Sequence, residues 1–97
     1  MRIIARRTLK EFWTVHPQAK LPLQSWFMEA QQAQWNTQQD IKNLYKSADI
    51  LPNNRVIFNI AGNKYRLIVH VNYFFQIIFI RFIGTHSQYD KINAEII

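Results

Sequence analysis

From Arg55 to Val71 apolar and polar residues alternate on either side of Gly62-Asn63, and no other pattern in the sequence constrains the fold as much. A period of two belongs to a strand, and Gly-Asn between two such runs marks a tight hairpin, because the primed turns that join strands need positive φ and glycine accepts it. The register follows. With Ala61 facing Lys64, Ile60 pairs with Tyr65, Asn59 with Arg66, Phe58 with Leu67, Ile57 with Ile68, Val56 with Val69 and Arg55 with His70. One face gathers Val56, Phe58, Ile60, Tyr65, Leu67, Val69 and Val71, and the other carries Arg55, Asn59, Lys64, Arg66, His70 and Asn72. A third run, Gln76 to Gly84, joins through a turn at Phe74-Phe75 and sets Val71 opposite Ile78, Val69 opposite Ile80 and Leu67 opposite Phe82. That register keeps Arg81 on the polar face, opposite Ile68, with Ile83 opposite Arg66, whereas a slip of one residue would drive Arg81 into the core.

Before Arg55 the period is helical. Leu9, Phe12, Trp13 and His16 recur at i, i+3, i+4, i+7, which predicts a helix from Arg6 to His16 that Pro17 ends. A second helix is predicted from Pro22, with Leu23, Trp26, Phe27 and Ala30 on one face, fading near Trp35 to Thr37. Thr37 and Asp40 resemble a capping box opening a short helix through Ile41, Leu44 and Tyr45, and Arg2 to Ala5 reads as a short strand. Helices first and strands afterwards make an α+β order. At 97 residues and 48% hydrophobic, the chain is one domain, residues 1–97, with N-terminal helices on the apolar face of a twisted, mainly antiparallel sheet. The apolar stretch from Tyr73 to Ile83 is broken by Gln76 and Arg81 and falls short of the roughly 20 residues of a membrane helix. The basic N-terminus lacks the apolar run of a secretory signal and reads as part of the fold.

Twelve Lys and Arg against six Asp and Glu give a net charge of +6. No acidic residue occurs from Ile50 through Tyr89, while Arg55, Lys64, Arg66, His70, Arg81 and His86 all fall there. Such a field concentrates polyanions, and nucleic acid is the first partner class it fits, although charge alone fits a solvated surface equally well. The polar sheet face tips the balance, since it carries cations and amides without a carboxylate, where solvent faces mix signs. With no cysteine, disulfides, thiolate metal sites and Cys nucleophiles are excluded together, and no metal or cofactor is expected.

After the last strand comes Gly84-Thr85-His86-Ser87-Gln88-Tyr89-Asp90-Lys91-Ile92, in which Ser87 can cap a short C-terminal helix and cluster His86, Tyr89 and Asp90 within about one turn. Histidine takes and gives a proton near neutral pH, and a nearby carboxylate can hold its tautomer.

The stretches NRVIFNIAGNKYRLIVHVNY and IIFIRFIGTHSQYDKI, with LKEFWTVHPQA and LPLQSWF before them, resemble the HigB-type mRNA interferase toxins of the RelE superfamily over nearly the whole chain. The resemblance implies a cytoplasmic bacterial toxin of a type II toxin-antitoxin pair that cleaves mRNA, commonly on the ribosome, and is neutralised by a helix-turn-helix antitoxin of the HigA kind. It further implies that Arg66, His86, Tyr89 and Asp90 are catalytic, with Asp90 orienting His86 and Tyr89 either stacking, sharing the proton work or packing the helix. Arg55, Asn59, Lys64, His70, Arg81 and Lys91 are the expected RNA contacts. Many RelE relatives offer Arg and Tyr where this chain has His86.

Overall fold

The computed structural model describes every residue, Met1–Ile97. In chain order the elements are β1 (Arg2–Ile4), α1 (Arg6–Val15), α2 (Lys20–Gln32), α3 (Gln38–Leu44), β2 (Asp49–Leu51), β3 (Arg55–Ile60), β4 (Tyr65–Asn72), β5 (Ile77–Thr85) and α4 (His86–Tyr89). The strands form one sheet in the order β1-β5-β4-β3-β2, with β1 parallel to β5 and every other neighbour antiparallel. This is an α+β fold.

The inner face is built as the alternation dictates. Val56, Phe58, Ile60, Tyr65, Leu67, Val69, Val71 and Ile78 join Leu9, Trp13, Leu23, Trp26 and Ile41 from the helices in one core. Phe58 is its hub, with Trp26 and Tyr45 edge-on at 5.3 and 5.1 Å and Trp35 stacked at 6.0 Å. Each such pair adds about 0.5–1.5 kcal/mol beyond the buried area, so one strand residue holds α2, α3 and their connection on the sheet. Tyr45 also donates a hydrogen bond to Glu29 in α2 at 2.5 Å. Burial, reinforced by that carboxylate, pushes the Tyr45 hydroxyl well above its ordinary pKa, keeping it a donor.

The β3–β4 register is the expected one, from Arg55 opposite His70 to Ile60 opposite Tyr65. The turn closes where Lys64 N–H donates to the Ala61 carbonyl at 3.4 Å, and positive φ extends from Gly62 (69°) to Ala61 (56°). The β4–β5 register holds only in part. Val71 faces Ile78 and Val69 faces Ile80, but a bulge between Ile68 and Val69 then sets Ile68 opposite Phe82, Leu67 opposite Ile83 and Arg66 opposite Gly84. Arg81 is the extra residue, unpaired and exposed. Phe82 therefore lies on the outer face and Ile83 on the core side, reversing both expectations.

Other departures are local. Pro17–Ala19 forms a turn of 3₁₀-helix that lets α2 begin at Lys20, so Pro22 sits inside the first turn instead of opening it. The helix ends at Gln32, and Trp35 is buried in the connection that follows. β2 was not expected. Asp49–Leu51 pairs antiparallel with Ile57–Arg55 across a turn at Pro52-Asn53-Asn54, where both asparagines adopt positive φ. Thr37 caps α3 as predicted, its hydroxyl accepting from the Asp40 N–H at 3.3 Å while the Asp40 carboxylate accepts from the Thr37 N–H at 3.1 Å. Thr37→Ala is expected to cost about 1 kcal/mol, lowering the melting temperature by about 4–8 °C in a thermal scan.

Candidate functional site

The outer face of the sheet is divided. Over β3 and β4, Ile57 and Ile68 are buried beneath Ala94, with Tyr89, Ile92 and Ile97 packed around them, so the segment after α4 crosses back over the strands. Arg55 holds its end. Its Nε and Nη2 donate to the Ile97 main-chain oxygen at 3.1 and 2.8 Å, and its Nη1 donates to the Asn53 carbonyl at 2.8 Å. Arg55 was expected among the phosphate contacts, and in the structure each of its three guanidinium nitrogens donates to the chain's own main chain.

At the other end of β4, Arg66 stands between Asn59 and Gly84. The capping box of α4 lies over Gly84, where a Cβ would come within 2.5 Å of Phe82 Cζ, 2.7 Å of Gln88 Oε1 and 3.1 Å of Gln88 Cβ. Thr85, not Ser87, is the cap. Its hydroxyl accepts from the Gln88 N–H at 3.3 Å, and Gln88 Oε1 accepts from the Thr85 N–H at 2.9 Å. The Thr-x-x-Gln spacing carries this reciprocal pair and makes His86 the first helical residue. Gly84→Ala is expected to cost about 1–3 kcal/mol by overpacking, and to slow any reaction that depends on α4, as a melt beside a rate measurement would record.

α4 places Tyr89 over Arg66, with the guanidinium carbon 5.1 Å from the ring centroid. Arg66 Nη1 is also 3.7 Å from Asp49 Oδ2, and its Nε is buried without a partner. Asp49 corrects the expectation of an acid-free face. Its carboxylate comes from β2, a strand of three residues that was not expected, for which the turn residues Pro52-Asn53-Asn54 before Arg55 were the available signal. The Asp49 side chain is 59% exposed, and an ion pair of this kind is worth about 0–1 kcal/mol, so a phosphate can displace it.

His86 and Tyr89 are three residues apart on one helix face. The His86 Nε2 is buried with no hydrogen-bond partner, a state that costs free energy. Asp90 does not orient it. The two residues are joined only by the Asp90 N–H donating to the His86 carbonyl at 2.9 Å, and the exposed Asp90 carboxylate makes no ion pair.

The outlying residues are scattered. Exposed Lys64 donates to Gln18 Oε1 at 2.8 Å, and Asn59 Nδ2 donates to the Ser47 carbonyl at 3.2 Å while its Oδ1 is buried and unpaired. Lys91 is exposed beyond α4. His70 stacks on Phe79, and burial, with the charges of Arg55 and Arg81, lowers its pKa so that the ring is neutral at neutral pH. The structure thus brings Arg66, Tyr89 and His86 to one end of the outer face and leaves His70 and Arg81 towards the other.

The family model described as "HigB_toxin, RelE-like toxic component of a toxin-antitoxin system" matches residues 19–92. Among curated proteins, the mRNA interferase HigB of Escherichia coli O6:H1 is 23% identical over 95 residues, covering 96% of this chain and 92% of that protein. The mRNA interferase toxin HigB of Escherichia coli K12 is 26% identical over 96 residues, covering 97% and 92%, and the mRNA interferase HigB of Shigella flexneri matches to the same extent. The match takes in α2, the whole antiparallel part of the sheet and α4, the elements that bring Arg66, Tyr89 and His86 together, and the chain accordingly belongs to the HigB toxin family, the RelE-like toxic components of toxin-antitoxin systems.

Proposed function

We propose that this chain is an endoribonuclease toxin that cleaves mRNA on the ribosome without a metal ion, and that a helix-turn-helix antitoxin of the HigA kind neutralises it in the bacterial cytoplasm. The observation that carries this reading is the meeting of Arg66 with Tyr89 on the helix that also bears the unpartnered His86 Nε2. Relatives matched over nearly the full chain are named mRNA interferases, which supports it. In the reaction the RNA 2′-hydroxyl loses its proton and its oxygen bonds to the adjacent phosphorus, while the bond from phosphorus to the 5′-oxygen breaks and that oxygen is protonated. The products are a 2′,3′-cyclic phosphate and a 5′-hydroxyl. His86 serves as acid or base, a role worth about 10²–10⁴ in rate. Arg66 stabilises the charge growing on the phosphorane with its planar fork, after displacing Asp49. Tyr89 holds the guanidinium in place and offers its ring or hydroxyl to the nucleotide. Asp90 contributes from the rim, and Asn59, Lys64 and Lys91 meet the RNA backbone or bases outside the chemistry.

One observation favours a second reading, a basic module that grips RNA without cutting it: His86 lacks an orienting carboxylate. Single-turnover incubation of the pure chain with labelled mRNA, with and without ribosomes and in excess chelator, separates the two. Cleavage that survives chelator and leaves cyclic phosphate ends is expected. Intact RNA in both arms would leave the binding module, and rescue by a divalent ion would overturn the metal-free chemistry.

A further inference from the structure

On the opposite side of the sheet from Arg66, the helices leave an apolar row uncovered. Leu23, Trp26 and Ala30 carry α2 into the core at i, i+3, i+7, and Leu21, Gln24 and Met28 repeat that spacing on a second row, with half-buried Phe27 between the two. A helix face turned to water is ordinarily polar, yet Leu21 is 74% and Met28 60% exposed. Beside this row α1 presents Arg6 and Trp13, and together with Gln24, Phe27 and Met28 they line a cleft of about 290 Å³. The Arg6 guanidinium carbon lies 5.6 Å from the Trp13 ring centroid and 5.7 Å from that of Phe27, which fixes a positive charge at the cleft. No carboxylate answers it. Each of the two helices has one acidic residue and both are engaged, Glu11 with Arg7 at 2.9 Å and Glu29 with the Tyr45 hydroxyl, so Arg6 and the exposed Lys10 one turn on make no ion pair.

We infer that the cleft between α1 and α2 is a docking site for the antitoxin, which seats an apolar side chain against Phe27 and Met28 and sets a carboxylate on Arg6. The inference rests on the reading that an antitoxin neutralises this chain, and it names the surface that is taken and the chemistry that takes it. Size, lining and charge select this occupant. The volume falls at the low end of the roughly 300–1,000 Å³ of small-molecule pockets and suits a side-chain anchor on a larger partner. Arginine, aromatic residues and methionine are the types enriched where proteins meet, and they make up four of the five lining residues. The unpaired cations of α1 beside the apolar row of α2 match an acidic, amphipathic segment laid between the helices. RNA is a poorer match, because Arg6 already covers the Trp13 and Phe27 rings and because Leu21 and Met28 offer a phosphate nothing. A second copy of this chain, itself at +6, would bring like charge to Arg6.

Surface plasmon resonance of the pure chain against the antitoxin encoded with it tests the site. Arg6→Glu and Met28→Glu should each weaken the complex by about 30-fold or more, as loss of an anchor at an interface does, whereas Met28→Leu should stay within about threefold. Both positions are exposed, and a glutamate at the first residue of α1 suits the helix dipole, so the melting temperatures should match the parent's. Arg6→Gln, which removes the charge without reversing it, should cost about tenfold in affinity and decides the matter if either glutamate disturbs the helices. In cells, Met28→Glu should still arrest growth, since α2 lies across the sheet from Arg66, and should no longer be rescued by the antitoxin. Binding within about threefold of the parent by Met28→Glu or by Arg6→Gln would overturn the cleft as the docking site. A parent chain that the antitoxin does not bind at all would instead sink the neutralisation reading on which the site rests.

Discussion

Arg66→Ala is expected to slow RNA cleavage by about 10²–10³-fold, the usual consequence of removing one preorganised donor from the charge that develops in a transition state. The fold should survive, because the Arg66 side chain lies on the outer face and its pair with Asp49 at 3.7 Å adds little stability. Arg66→Lys is the more informative variant. An ammonium keeps the charge, but it lacks the flat fork that can hold two phosphate oxygens and lie against the Tyr89 ring, so most of the loss should remain. Cleavage rates beside a thermal melt decide the matter. An Arg66→Lys rate within a few-fold of the parent would reduce Arg66 to a point charge, and the geometry with Tyr89 would lose its meaning.

His86→Ala is expected to lower the single-turnover rate by about 10²–10⁴-fold while binding of uncleavable RNA stays within a few-fold. The side chain is half-buried outside the core, so the melting temperature should change little. The comparison of turnover with binding supplies the sharper reading. A His86→Ala rate within a few-fold of the parent would move the proton work to Tyr89 or to the RNA itself.

Much of this molecule was legible in the sequence because one face of the sheet carries the main core along its whole length. With Val56, Phe58 and Ile60 inside, the partners across Gly62-Asn63 were determined residue by residue, including Asn59 opposite Arg66. Thr37 and Asp40 could be read as a cap because the reciprocal bonds need only local spacing. The bulge was not legible, since alternation from Ile78 to Ile80 continues plausibly through Phe82, and the extra residue is set by packing of Phe82 against Ile57 and Ile68. The same limit hid the site's electrostatics. Asp49 lies 17 positions before Arg66, and only the pairing of β2 with β3 brings it near. The surroundings of Arg55 were hidden for a related reason: it was expected to meet an RNA phosphate, and only the return of residues 92–97 over the sheet brings the Ile97 main-chain oxygen to it.

The unpaired position in β5 bears on how such chains can change length. Removing a residue from the interior of a strand ordinarily exchanges inside and outside for everything that follows, which a buried face forbids. Here the parity is already broken at Arg81, with Ile80 inward before it and Phe82 outward after it. Deleting that one residue would leave Ile78, Ile80 and Ile83 facing the core and Gly84 still beneath the helix cap. The strand therefore contains a position where a whole residue can be gained or lost by insertion and deletion without renegotiating the core.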